Sequence, residues 1–147
     1  MKQLILTTLL IAALCGVSTT GQARDSRLTL PVAPFFERAD VKSALGDEVQ
    51  FYFSDSGLPK VAQNFGSIQS NKKTNAFNKS DTEACEWALL SALLAFKARA
   101  LELGGNAVIN ISSNYRNQPF KEAGKFQCGA GAIVAGVTMV GTVVKLK

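Results

Sequence analysis

Hydrophobic and polar positions alternate cleanly over residues 48–53, where Val49, Phe51 and Phe53 fall on one side and Glu48, Gln50 and Tyr52 on the other. A period of two marks a half-buried strand. Gly57 and Pro59 punctuate a turn over 54–59. A second strand, more weakly patterned, is expected over 61–70, with Gly66 as the site of a bulge. Residues 71–79 are polar and read as a loop. Past the helix described next, residues 107–115 form a strand with Ala107, Ile109 and Ile111 in register, and 116–125 a polar hairpin loop holding Pro119 and Gly124. Residues 126–146 are rich in Val and Ile, with sixteen consecutive uncharged residues from Gly129 to Val144. Four glycines in that run and its β-branched side chains favour a buried strand over a membrane-crossing helix. As one strand it is long, so a Gly is expected to mark a bend or bulge.

The clearest element is a helix over about 81–103. Ser80 stands at the cap position and Glu83 three residues on, while Asp81 suits the positive end of the helix dipole. Gly104 and Gly105 supply a left-handed stop. At 100° per residue Cys85, Leu89, Ala92, Leu93, Phe96, Ala100 and Leu103 share one broad face, which is the sheet-facing side. Trp87, Leu90, Leu94 and Leu101 fall within about 60° of one another on nearly the opposite side. A helix lying on one sheet needs a single apolar stripe, so the second requires a cover: the N-terminal arm, another subunit, or a partner protein. Trp87, Leu90, Leu94 and Leu101 are therefore the candidate interface, with residues 28–36 as the segment of this chain expected to fold back over them. The fold class that follows is α+β, one long helix packed on a mainly antiparallel sheet of about four strands.

The chain opens with Lys2, then an apolar stretch over 4–17, then small residues ending in Gly21-Gln22-Ala23. That is the form of a cleavable export signal, too short for a good membrane span. Leu14 before Cys15 does not suit a lipoprotein cut, so Cys15 goes with the discarded signal. The expected organisation is a signal peptide over 1–23, an extended N-terminal arm over 24–47 and a single α+β domain over 48–147. Pro31 and Pro34 deny the apolar segment 28–36 a helix or a central strand, and a short helix is expected over 37–45, stopped by Gly46.

Cleavage would leave 124 residues with 15 basic and 11 acidic side chains, a net charge of +4. Lys72, Lys73 and Lys79 form one loose basic cluster and Arg116, Lys121 and Lys125 another, without the interleaved aromatics of a nucleic-acid surface. Solvated loops or weak attraction to acidic polymers account for them. The chain contains no His, so the usual general base and commonest metal ligand is missing. A serine nucleophile would lack its imidazole and would have to rely on a lysine. Cys85 and Cys128 are the two mature cysteines. In an oxidising compartment such a pair most often forms a disulfide, with two separate buried thiols as the alternative. No cofactor or metal constellation stands out, and enzyme chemistry is not expected.

At residues 98–111, ARALELGGNAVINI, and 140–146, VGTVVKL, the chain resembles the YbjQ-like and RcsF-like family of small envelope domains. The resemblance covers about residues 50–147, and its sharpest part is the helix-to-strand junction at Gly104-Gly105-Asn106-Ala107-Val108. It implies a small α+β sandwich, export, and cysteines paired between the helix and the last strand. The function it implies is a non-enzymatic periplasmic module for interaction or sensing at the cell envelope, whose partner is an envelope protein or further copies of the chain. The alternative is a periplasmic binding protein for a small ligand or metal ion, housed between the sheet and the N-terminal arm.

Overall fold

The computed structural model describes residues 24–53 and 57–147. The expected signal over 1–23, with Cys15, lies outside the described residues, as does part of the turn over 54–59. The chain runs β1 (Asp25–Pro31), α1 (Ala33–Glu37), α2 (Ala39–Leu45), β2 (Gln50–Phe51), β3 (Val61–Asn75), α3 (Asp81–Leu103), β4 (Ala107–Ser113), β5 (Lys125–Gly131) and β6 (Val134–Leu146). The class is α+β, with a mixed sheet of six strands in place of the four expected.

β6 is the hub. One of its edges carries β3 along its whole length, from Val61 against Leu146 to Asn75 against Val134. Its other edge carries β5 at the start, through Gly129 and Ala130, and then β4 from Met139 to Val144. β1 adds to the far side of β5 antiparallel, and the two residues of β2 lie parallel to β4.

Two departures from the sequence pattern account for the extra strands, and two more concern a helix and the length of β3. The segment read as an extended arm contributes β1, whose Leu28 and Leu30 stand opposite Cys128 and Phe126 and are half-buried. Its prolines are consistent with an outer strand: Pro31 closes β1 and Pro34 enters the first turn of α1, where a missing N–H is harmless. The helix expected over 37–45 is α2, stopped at Gly46, whereas α1 forms inside the 28–36 segment expected to be denied a helix, because Pro34 starts the helix instead of breaking it. The 126–146 run breaks at Ala132 and Ile133 into a hairpin, so one long strand becomes β5 and β6. The polar segment expected as a loop from residue 71 instead continues β3 to Asn75. The bulge expected at Gly66 is present, with φ at +98° and register shifts on either side of Gln63 and Asn64.

α3 starts and stops where its end signals lie. The Ser80 Oγ accepts a hydrogen bond from the Glu83 N–H at 3.1 Å, and Gly104 takes the left-handed conformation while the Gly105 N–H donates to the Ala100 carbonyl. A Cβ on Gly105 would lie 2.6 Å from Val143 Cγ1, so glycine at this junction also lets the helix end press against β6. Between helix and sheet Phe35, Leu89, Leu93, Phe96, Phe126 and Met139 form the centre of the core, with Val41, Leu45 and Val49 closing one side. A smaller cluster of Ala107, Ile109, Val144 and Leu146 packs with Tyr52 and Leu58. Cys85 on α3 and Cys128 on β5 are joined by a disulfide with Cα atoms 5.8 Å apart, pinning the first turns of the helix to the sheet. Among the described residues no helix is long and apolar enough to cross a membrane.

Candidate interaction surface on the long helix

The structure separates the four residues of the second apolar stripe. Leu90 is 7% exposed and belongs to the core, whereas Trp87, Leu94 and Leu101 are 40%, 38% and 45% exposed. These three recur at intervals of seven along the crest of α3, the side turned away from the sheet. Ser91 and Ala98 stand between them, so the crest has the four-three spacing of a helix-packing seam with small residues in alternate places. The Ser91 hydroxyl is satisfied by the Trp87 carbonyl at 3.0 Å and makes no demand on a partner.

One flank of this crest is closed by the N-terminal segment, and the segment that does so lies further along the chain than expected. Residues 28–31 belong to β1, while Arg38 and the residues after it reach α3. Arg38 donates to Asp40 at 2.6 Å, forms an ion pair with Glu86, and lies 5.9 Å from the Trp87 ring centroid. Its hydrogen bond to Asp40, helped by Glu86, raises the guanidinium pKa further above its ordinary value, so Arg38 stays charged at any working pH. The same bond lowers the Asp40 pKa. Further along, Lys97 pairs with Glu48 at 2.6 Å. Glu86, Leu90 and Lys97 therefore face α2 and its neighbours, and Trp87, Leu94 and Leu101 are left beside them in solvent. The Arg38 network escaped the sequence pattern because its members are 48 residues apart; the only local hint is the Arg38-Ala39-Asp40 spacing.

A second concave feature lies between α2 and β2. It is a cleft of about 710 Å³ lined by Phe36, Val41, Leu45, Val49, Phe51 and Tyr52 among others, with Lys42 and Asp47 as its charged members. On the sheet face opposite α3 a smaller groove of about 450 Å³ brings Lys73 from one basic cluster together with Arg116 from the other, joined by Arg24. Arg116 is paired there with Asp25, which raises its pKa, and Tyr115 lies 5.5 Å from the guanidinium carbons of Arg27 and Arg116. Its cations are thus largely matched by carboxylates and by one ring already occupied.

The chemistry available is limited. Ser70-Asn-Lys-Lys73 has the spacing of a serine–lysine pair, but in β3 positions three apart point to opposite faces, and Ser70 is buried while Lys73 is exposed. The disulfide ties up Cys85 and Cys128, the two described cysteines. Among the described residues no three Cys, Asp or Glu side chains converge as a metal site. Family models, curated proteins and solved structures hold no match to this chain. Any role therefore has to be argued from these surfaces.

Proposed function

We propose that this chain is a non-enzymatic interaction or sensing module of the cell envelope, exported to the periplasm, which docks an envelope protein on the crest of α3. The observation that carries the proposal is the Trp87–Leu94–Leu101 row. Large apolar side chains at seven-residue spacing stay in solvent on a helix whose sheet-facing side is fully packed. A contiguous exposed apolar patch of this kind is the usual mark of an interface, and a tryptophan at its end is the residue type most enriched among binding hot spots. Arg38 fixes Trp87 from the side, so part of the ordering that binding requires is already done. The disulfide supports an oxidising compartment. The likeness of the helix-to-strand junction to envelope domains points the same way.

The test is Leu94→Asp. Leu94 is exposed, so the variant is expected to fold and melt as the wild type does while losing the partner that co-purifies with it. A variant that keeps its partner sinks the proposal, and one that unfolds shows the crest to be core.

The cleft between α2 and β2 favours a second function, a binding protein for a small apolar ligand. Its volume lies in the range of small-molecule sites and its walls are mostly apolar. It sits between the N-terminal segment and the sheet, where such a ligand was expected. A thermal-shift screen with aromatic and acyl ligands tests it, and the absence of any shift removes it.

A further inference from the structure

Away from the α3 crest, large apolar side chains left in solvent gather at one end of the sheet. Phe77 is 63%, Ile133 67% and Val134 48% exposed, more than any residue of the crest. They sit on two neighbouring turns: Ile133 and Val134 on the β5–β6 hairpin, Phe77 on the turn from β3 into α3. Asn75 pairs with Val134, and the Ala76 N–H donates to the Ile133 carbonyl at 2.7 Å, so the turns stand side by side. Hairpin corners ordinarily carry Gly, Asn, Asp or Pro. Here Ala132 and Ile133 hold the corner, and no charged residue occurs over 74–78 or 126–144.

The backbone of this tip is already bonded at several points. The Gly131 carbonyl accepts from Arg24 at 3.0 Å, and the Asn75 Oδ1 accepts the Phe77 N–H at 2.8 Å. The Ala76 carbonyl accepts the Lys79 N–H at 3.2 Å, across Asn78 in the left-handed conformation at φ +58°. Fewer polar groups therefore have to give up water when the tip enters an apolar medium.

Cations stand behind it. Lys73 and Lys72 are two and three residues back from Asn75, about 7 and 10 Å at strand spacing, on opposite faces of the sheet. Lys79 follows Phe77 and donates to the Asn75 carbonyl at 3.1 Å. Among the described residues none of the three lysines has a carboxylate within ion-pair distance. The acids at this end are mostly spent: Asp81 takes two hydrogen bonds from Arg24, at 2.9 and 2.6 Å, and Asp25 is paired with Arg116. Glu83 is left exposed, one charge against the three lysines.

We infer that this end is a lipid-docking tip: Phe77, Ile133 and Val134 enter the interface of a bilayer whose anionic head groups meet Lys72, Lys73 and Lys79. An apolar tip seated about 5–10 Å into the head-group boundary brings the head groups level with those lysines. Shape and charge together favour a bilayer over a protein. The apolar residues cap two turns at the end of the sheet instead of lining a groove, and the cations flank them on both sheet faces, as a flat anionic surface requires. α3 begins at Asp81 and runs away from the tip, so Leu94 and Leu101 lie about 20 and 30 Å along it and stay free for the partner of the crest.

The test is flotation of the mature chain from Arg24 with lipid vesicles. That chain holds every described element and lacks the apolar stretch 4–17, which would enter lipid unaided. It is expected to bind vesicles of phosphatidylglycerol and phosphatidylethanolamine, and not vesicles of phosphatidylcholine alone. Phe77→Ser and Ile133→Ser are each expected to weaken binding about tenfold with an unchanged melt, and Lys72→Gln and Lys73→Gln about fivefold each at low salt. Val61→Ser, which alters an exposed apolar residue at the other end of β3, is expected to bind as the wild type does. Depth is read with Phe77→Trp in a Trp87→Phe background, which leaves a single tryptophan at the tip, and lipids brominated on their acyl chains are expected to quench it. A wild type that ignores anionic vesicles overturns the inference. So does binding that resists both serine changes, which marks a surface for acidic polymers only, and so does a tryptophan at 77 that the brominated lipids leave unquenched. If a serine variant fails to fold, the tryptophan decides the matter.

Discussion

The side chain of Asn106 stands in for a strand against Leu146: its Oδ1 accepts the Leu146 N–H at 2.7 Å, and its Nδ2 donates to the Leu146 carbonyl at 3.5 Å. This amide joins the helix-to-strand junction to the end of the last strand. Asn106→Ala leaves a partly buried N–H without its partner. The expected loss is about 1–3 kcal/mol, read as a lower denaturant midpoint with an unchanged slope.

A 43-residue loop is closed by the Cys85–Cys128 bridge. In the chain-entropy picture its removal costs about 4 kcal/mol. Cys85→Ser is expected to lower the urea midpoint by an amount that reductant reproduces in the wild type. A midpoint insensitive to reductant would contradict this.

Acid titration should reveal the Arg38 network. Asp40 has its carboxyl pKa lowered from 3.8, chiefly by the hydrogen bond from Arg38. A carboxyl depressed in the folded state stabilises above its unfolded pKa, and that contribution is lost as pH falls through the folded value. Melting temperature should therefore drop on acidification below pH 3.8, and less steeply in Asp40→Asn. The effect is small, because the pair is exposed to solvent. Equal slopes in both proteins would remove the assignment.

Export predicts a mature chain beginning at Arg24. Intact-mass measurement of protein recovered from the periplasm checks it. A species retaining Met1, or one lipidated at Cys15, contradicts it.

What the sequence disclosed was governed by where each signal resides. α3 was legible because Ser80, Glu83, Gly104 and Gly105 act locally, and the Gly66 bulge for the same reason. β1 was hidden because Pro31 and Pro34 read as breakers, whereas an outer strand tolerates a proline at its end. The last third of β3, from Asn71 to Asn75, was hidden because an edge strand held by backbone bonds to β6 needs little apolar alternation. The β5–β6 hairpin turns at Ala132 and Ile133, which carry none of the usual turn chemistry. The candidate interface was half legible. Helical periodicity places Trp87, Leu94 and Leu101 together, but only the tertiary fold reveals that Leu90 is buried beside them.

The docking role of the α3 crest is tested most directly by site-specific photo-crosslinking in cells, with the photoreactive residue placed in turn at Trp87, Leu94 and Leu101 and, as a control, at exposed Glu122. The account predicts one discrete adduct, the same envelope protein from all three crest positions and absent from the control. No adduct at the crest, or the same adduct from Glu122, would contradict it.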